Sequence, residues 1–225
     1  MEYYKAYDNR YKIYHDAKGI AWAGDLPSKE LKDILTKYHA DKDSSILEIG
    51  CGEGQNALYL LGEGFNVKAS DVSHEAVEWC KKQTDKYKDN FFELDILNNN
   101  LTEKFDFILS ISTLHMLVSD SHRKGFFDFI SSHLNENGIA IITSMGDGIN
   151  EKNDTDITKS FDLIVRDNGT GAMLLPQTSC RIVNWENLKK EISNSNLAIV
   201  ESYISKTISG FISSMIAIIK NKNQN

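Results

Sequence analysis

The apolar residues of this chain fall in short clusters whose spacing switches between helical and strand-like. Leu31, Ile34, Leu35 and Tyr38 recur three or four apart, which predicts a helix after the Leu26-Pro27-Ser28 break. From residue 45 strand and helix alternate. Ser45–Ile49 reads as a short buried strand, then come glycines and a helix through Asn56–Leu61. Phe65–Ser70 is a second strand, ending at Asp71, and Ser73 is placed to cap a helix over Glu75–Tyr87. Phe91–Leu94 forms a third strand, ending at Asp95, and Phe105–Ser110 a fourth, before a helix through Arg123–Leu134. Asn137-Gly138 is a turn signal, and Ile139–Thr143 the fifth strand. Short apolar runs separated by helices imply parallel strands with crossover connections.

The rhythm breaks after Thr143. Residues 146–182 are polar and glycine-containing, and read as an insertion outside the sheet, partly helical near Thr158–Val165. Trp185–Ile192 is again an amphipathic helix. Leu197–Lys206 and Phe211–Lys220 are two more strands, joined by too few residues for a crossover, so they should form an antiparallel hairpin. The expected architecture is one α/β domain over residues 1–225, doubly wound, with a mostly parallel seven-stranded sheet and a C-terminal antiparallel hairpin. Ahead of it, residues 1–27 carry Tyr7, Tyr11, Tyr14 and Trp22. Tyr4, Tyr7, Tyr11 and Tyr14 stand three or four apart, which fits a helix packed on the domain and equally a lid over a site.

Composition narrows the partners. The 225 residues carry a formal charge of −7, with 25 Lys plus Arg against 32 Asp plus Glu. A protein living on a phosphate backbone draws its affinity from a basic face, so no nucleic-acid partner is expected and a small-molecule acceptor is preferred. Cys51, Cys80 and Cys180 are odd in number and widely spaced, which suggests free thiols, with no metal site. No stretch approaches the roughly 20 apolar residues of a membrane span, and Met1–Lys18 lacks the apolar core of a signal peptide. A cytoplasmic monomer or homodimer is expected.

The turn Glu48-Ile49-Gly50-Cys51-Gly52-Glu53-Gly54 joins a strand to a helix. Glycines there let a ligand approach the backbone, and the helix start offers unpaired N–H groups. Asp71, at the carboxyl end of the second strand, is positioned to accept from both hydroxyls of a ribose, and Asp95 to meet an adenine amine beside Ile96. Gly52-Glu53-Gly54-Gln55-Asn56-Ala57 also satisfies a dinucleotide pattern. Glu48 and Asp95 tilt the choice, because two more carboxylates suit a cationic sulfonium and repel a pyrophosphate.

On these residues the chain resembles the class I S-adenosylmethionine-dependent methyltransferases. Ile46–Gly54 looks like their first motif, Asp71 their ribose-binding acid, Leu94-Asp95-Ile96 their adenine-side motif and Phe105–Ser110 their fourth strand. The first helix, with Trp22-Ala23-Gly24-Asp25-Leu26-Pro27 before the core, is similar to the tellurite-resistance and thiopurine methyltransferase-like group. The resemblance implies a Rossmann-like fold, S-adenosylmethionine as donor and S-adenosylhomocysteine as product. It implies a cofactor site of Glu48, Gly50, Cys51, Gly52, Gly54, Asn56, Asp71, Val72, Asp95, Ile96 and Ser110. His115, just past the fourth strand, is the candidate base, the alternative being a structural histidine. Tyr7, Tyr11, Tyr14, Trp22 and Arg181 are the candidate lid and acceptor residues, with residues 146–182 as a cap. Arg166 and Arg181 read either as partners for an acceptor carboxylate or as surface charge, and His74, His122 and His133 as helix-surface residues. The alternatives to a small-molecule enzyme are a protein or RNA methyltransferase, and a catalytically silent cofactor-binding subunit.

Overall fold

A seven-stranded sheet carries the molecule, and its strand order decides where a ligand can sit. The computed structural model describes residues 2–17, 19, 21, 28–154, 156–167, 171–206 and 211–222. The strands are β1 (Ser45–Ile49), β2 (Asn66–Asp71), β3 (Phe91–Glu93), β4 (Phe105–Ser110), β5 (Leu134–Met145), β10 (Leu197–Ser205) and β11 (Ser214–Asn221). Four shorter strands between β5 and β10 lie outside this sheet: β6 (Lys152–Asp154), β7 (Leu163–Asp167), β8 (Ala172–Pro176) and β9 (Cys180–Ile182). The order across the sheet is β10-β11-β5-β4-β1-β2-β3. Strands β1 to β5 are parallel, and β11 runs antiparallel between β5 and β10. The expected hairpin is present as the pairing of β10 with β11. The turn 207–210 lies outside the described residues.

Because the central strands are covered on both faces, their apolar runs are continuous rather than alternating. On one face Leu47, Ile49, Ile108, Ala140, Ile142 and Ala217 pack under Phe126, Phe127 and Ile130 of α5 (Asp120–His133) and Leu188 and Ile192 of α6 (Trp185–Ser193). On the other face Ile46, Val67, Leu109, Ile141 and Ile218 meet α2 (Lys29–Lys37), α3 (Gln55–Gly62) and α4 (His74–Gln83). The helices start where short polar side chains satisfy their free N–H groups. Ser73 accepts from Ala76 N, Ser119 from His122 N and Asn184 from Asn187 N.

Three local expectations change. The stretch near Thr158–Val165 is helical only at its start: one 3-10 turn, Ile157–Lys159, is followed by β7, which pairs antiparallel with β8. Ile164 and Val165 are β-branched and take a strand partner as soon as the chain doubles back. The Asn137-Gly138 pair lies inside β5, because neither residue takes the positive φ that a two-residue turn needs. Instead the register slips there, with Phe105 opposite Leu134 and Phe107 opposite Ile139. Finally, only His74 is exposed among the three helix histidines. His133 is buried, stacks on Phe129 and contacts Leu101 O at 2.9 Å, and His122 stacks on Tyr3.

The tyrosine-rich lead forms a helix, α1 (Ala6–Asp16), lying against α4 and β8. Among the described residues no helix is long and apolar enough to cross a membrane.

Candidate functional site

In a doubly wound sheet the crevice opens where neighbouring strands connect in opposite directions. Here that point falls between β1 and β4, so the loops after them, Gly50–Gly54 and Ile111–Leu117, face one another. The glycine loop is held on three sides. Gly50, Gly52 and Gly54 have φ of +68°, +55° and +82°, a region that other residues enter only under strain. A methyl on Gly50 would strike Thr113 of the post-β4 loop, at 2.7 Å from its Cγ2. A methyl on Gly52 would stand 2.9 Å from the Tyr11 hydroxyl, and one on Gly54 2.9 Å from the Cys80 Sγ. The loop therefore touches α1, α4 and the β4 side at once.

Two buried carboxylates flank it. Asp71 accepts from Gly52 N through Oδ2 and from Ser73 N through Oδ1, both at 2.9 Å. The carboxylate, which also meets the Val72 backbone N–H, keeps lone-pair capacity for a ligand hydroxyl. Burial raises the Asp71 pKa against those backbone bonds. Glu48, 2% exposed, accepts from Asn56 Nδ2 at 3.3 Å through Oε1, while its Oε2 is buried without a hydrogen-bond partner. Burial pushes Glu48 up to about 7. A buried acceptor with no donor is costly, so this corner is built for a cation or a donor. Asn56 completes the corner by accepting from Ser28 N at 3.2 Å. Cys51 is buried, and its hydrogen bond to Cys80 together with burial holds its thiol well above the usual range.

The β3 side is drier on one flank and open on the other. Asp95 accepts from Tyr4 Oη at 3.0 Å and Leu97 N at 3.1 Å, with Lys5 Nζ at 3.4 Å. Val72, Leu94 and Asp95 line a cavity of about 390 Å³ with Lys5 and Asp8 of the lead segment and Phe161 of the insertion. Ile96 is half-buried against the core, and Ser110, at the end of β4, is buried with its hydroxyl unpartnered.

α1 closes the crevice from above. Asp8 Oδ1 accepts from Ser73 Oγ at 2.6 Å and Glu75 N at 3.0 Å, so it caps α4 from outside. Tyr3 Oη accepts from Val118 N and Ser119 N, at 2.7 and 3.1 Å. His15 Nε2 lies 3.0 Å from Glu53 Oε1 in the glycine loop, and its ring stacks on Trp79 at 4.1 Å. Tyr7, Tyr11 and Tyr14 are all buried on one face of the helix. Trp22 lies outside the described residues.

His115 is 4% exposed, with Nδ1 3.5 Å from Met145 N and its ring edge-on to Phe211. Burial, with Arg123 adding to it, drives its pKa down to about 4, so the ring is neutral at physiological pH. Arg123 holds the same loop, donating to Leu114 O and Leu117 O while forked onto Glu191. Arg181 is engaged away from the glycine loop, pairing with Asp120 at 2.5 Å and Glu191 at 3.6 Å. Arg166 instead donates to Gln177 O at 2.5 Å, beside Tyr7. Sequence reasoning passed over Asp8 and Arg10, although both share α1 with the tyrosines. Their signal was helical spacing, since Arg10 stands three after Tyr7 and four before Tyr14.

Comparison with known proteins agrees with this geometry. A methyltransferase-domain family matches residues 22–202, most of the chain, and the protein belongs to that family. The chain is 27% identical over 114 residues to a Haemophilus influenzae protein named as an S-adenosyl-L-methionine-dependent methyltransferase, TehB; the match covers 50% of this chain and 40% of that one. The chain spans about half the length of the curated relatives it matches. Among solved structures, the CcbJ methyltransferase from Streptomyces caelestis is 12% identical, with a TM-score of 0.69 over 99% of this chain and 100% of that one. A glycopeptide N-methyltransferase, MtfA, with sinefungin gives 0.65 at 14% identity, over 88% of each chain. At such identity these structures share the fold.

Proposed function

We propose that this protein transfers a methyl group from S-adenosylmethionine to a small organic acceptor. The observation that carries the reading is the pair of buried carboxylates, Glu48 and Asp71, on either side of a glycine loop at the sheet's switch point. The donor supplies a sulfonium-activated methyl for in-line displacement. Asp71 would receive the ribose hydroxyls, and Glu48 with its unpartnered Oε2 would face the cationic amino-acid end. The N–H groups at the start of α3 and the bare face of Gly52 leave room for backbone contact. Val72, Asp95 and Ile96 would border the adenine, with Ser110 below.

Methyl transfer creates little new charge, so the protein's work is to position and to exclude water. α1 does the second, with Tyr7, Tyr11 and Tyr14 turned inward. β7, β8 and β9 act as the cap over the acceptor. His115 is offered to the acceptor as a neutral ring; as a base it would suit only an acceptor that ionises readily, because its pKa is depressed.

Calorimetry with S-adenosylmethionine and its demethylated product tests the donor site. Micromolar to low-millimolar binding is expected, and should be lost in Asp71→Ala. No binding at millimolar ligand, or equal binding in Asp71→Ala, sinks the proposal. A macromolecular acceptor is the second reading, favoured by the exposed apolar Leu163, Val165 and Leu174 on the β7–β8 hairpin.

A further inference from the structure

The insertion contributes one aromatic ring to the donor side of the crevice. Phe161 is 42% exposed and lines the cavity of about 390 Å³ at the ends of β2 and β3. Its other walls are Val72, Leu94 and Asp95 of the sheet edge and Lys5, Asp8 and Asn9 of the lead segment, with His74 and Glu93 in contact at 3.2 Å. The cavity adjoins the carboxylate read as the ribose acceptor. Val72 follows Asp71 directly, and Leu94 N donates to Asp71 O at 2.9 Å. Its volume falls within the roughly 300–1,000 Å³ of small-molecule pockets. Leu163, Val165 and Leu174, the exposed apolar side chains of the β7–β8 hairpin, do not line it.

The chain pins the turn that carries this ring. Asp162 N donates to Lys159 O at 2.9 Å, Gln177 N to Asp162 O at 2.8 Å and Thr178 N to Ser160 O at 3.3 Å. Ser160, the residue before Phe161, is fully buried. A half-exposed phenyl ring held against a cavity gains hydrophobic stabilisation only when a flat apolar surface replaces the water there. The polar lining sorts such ligands. Asp8, Glu93 and Asp95 outnumber Lys5, so a phosphate is disfavoured and a neutral ring bearing an N–H donor is preferred. A purine base combines two flat faces with a donor edge.

We infer that Phe161 is a donor-binding residue supplied by the insertion. It covers a face of the adenine in the pocket that Val72 and Leu94 also line, and the bound donor thereby seats the insertion against the lead segment. The inference rests on the methyltransferase reading for the identity of the purine, and on the cavity for its place. Because the same turn leads into β7, the cap over the acceptor is complete only once the donor is bound.

Isothermal titration with S-adenosylhomocysteine and with adenosine tests it on the wild type, Phe161→Ala, Phe161→Trp and Leu163→Ala. Phe161→Ala should weaken both ligands by the same factor, about tenfold, the order expected for loss of one aromatic–base contact. Phe161→Trp should keep most of the affinity, and Leu163→Ala, on the same hairpin but outside the cavity, all of it. Phe161→Leu, which keeps the bulk and removes the aromatic face, stands in should the alanine variant fail to fold. Hydrogen exchange supplies a readout that a merely structural role would not move. S-adenosylhomocysteine should slow exchange over residues 161–167 in the wild type and leave it unchanged in Phe161→Ala. Wild-type affinity in Phe161→Ala, a loss that adenosine does not share, or an equal loss in Leu163→Ala overturns the inference while the donor reading stands. Should the wild type bind neither ligand, the methyltransferase reading falls and the role of Phe161 with it.

Discussion

Glu48 and His115 pull the stability of the protein in opposite directions with pH. Glu48 titrates near 7 when folded, against 4.5 as its ordinary value, so folding favours its protonated form. Its contribution is full below pH 4.5 and is lost as pH rises through 7, by up to about 3 kcal/mol. His115 titrates near 4 when folded, against 6.5, so folding favours its neutral form. Its contribution is full above pH 6.5 and is lost as pH falls toward 4, again by up to about 3 kcal/mol. Denaturant titrations from pH 4 to 8 should show Glu48→Gln more stable than wild type at pH 8, and a flatter acid limb in His115→Asn. A cationic ligand reverses the Glu48 term by stabilising its carboxylate. Binding of S-adenosylhomocysteine at pH 6 should therefore release about one proton, seen by calorimetry in buffers of different ionisation enthalpy, and Glu48→Gln should abolish that release. Gly50→Ala combines a strained φ with a collision against Thr113, and should cost about 2 kcal/mol or more. Adding Thr113→Ala should return the collision part but not the φ part, which a double-mutant cycle would separate. The glycine turn and its flanking acids were legible in the sequence because both are local. The burial of Arg10 and the unpartnered Oε2 of Glu48 were not, since each depends on what a distant segment places beside it.

At the level of elements, the crevice is clamped by contacts between helices that are far apart in the chain. Asp8 of α1 caps α4, so Asp8→Ala should cost about 1 kcal/mol. It should also raise hydrogen exchange of the α1 amides more than those of the sheet, marking α1 as the part that opens. Arg123, 1% exposed, binds Glu191 and two carbonyls of the post-β4 loop, tying α5, α6 and His115 together. Arg123→Met should destabilise by about 3 kcal/mol, measured by urea unfolding, because Glu191 and both carbonyls lose their donor. The alternation of strand and helix from residue 45 to Thr143 was readable, since apolar runs with capping residues between them signal parallel crossovers directly. The β7–β8 hairpin was missed. Its apolar residues stand on the outer face as well, Leu163, Val165 and Leu174 being exposed while Leu175 packs under α1, so little alternation was left to read. The Asn137-Gly138 signal misled for a related reason. A helix end that enters the sheet directly overrode the local preference of two residues.

For the whole molecule, acidity and enclosure point the same way. With a net charge of −7 and a crevice roofed by α1, the protein should show no RNA binding in 50 mM salt, where non-specific electrostatic binding is strongest. A filter-binding or anisotropy signal that falls steeply with salt would restore the nucleic-acid reading. The sequence by itself determined the family resemblance, the parallel strands, the closing hairpin and the expected donor pocket. It could do so because glycines at a strand end, acids at two neighbouring strand ends and short apolar runs all act within a few residues of one another. Only the tertiary structure decided which charged groups are committed to partners. Arg181 is held by Asp120 and Glu191, whereas Glu48 keeps one buried carboxylate oxygen without a donor. That choice was invisible along the chain because charge pairing is a matter of distance in space. Asp120 and Arg181 stand 61 positions apart and meet only because the fold seats β9 against the loop after β4.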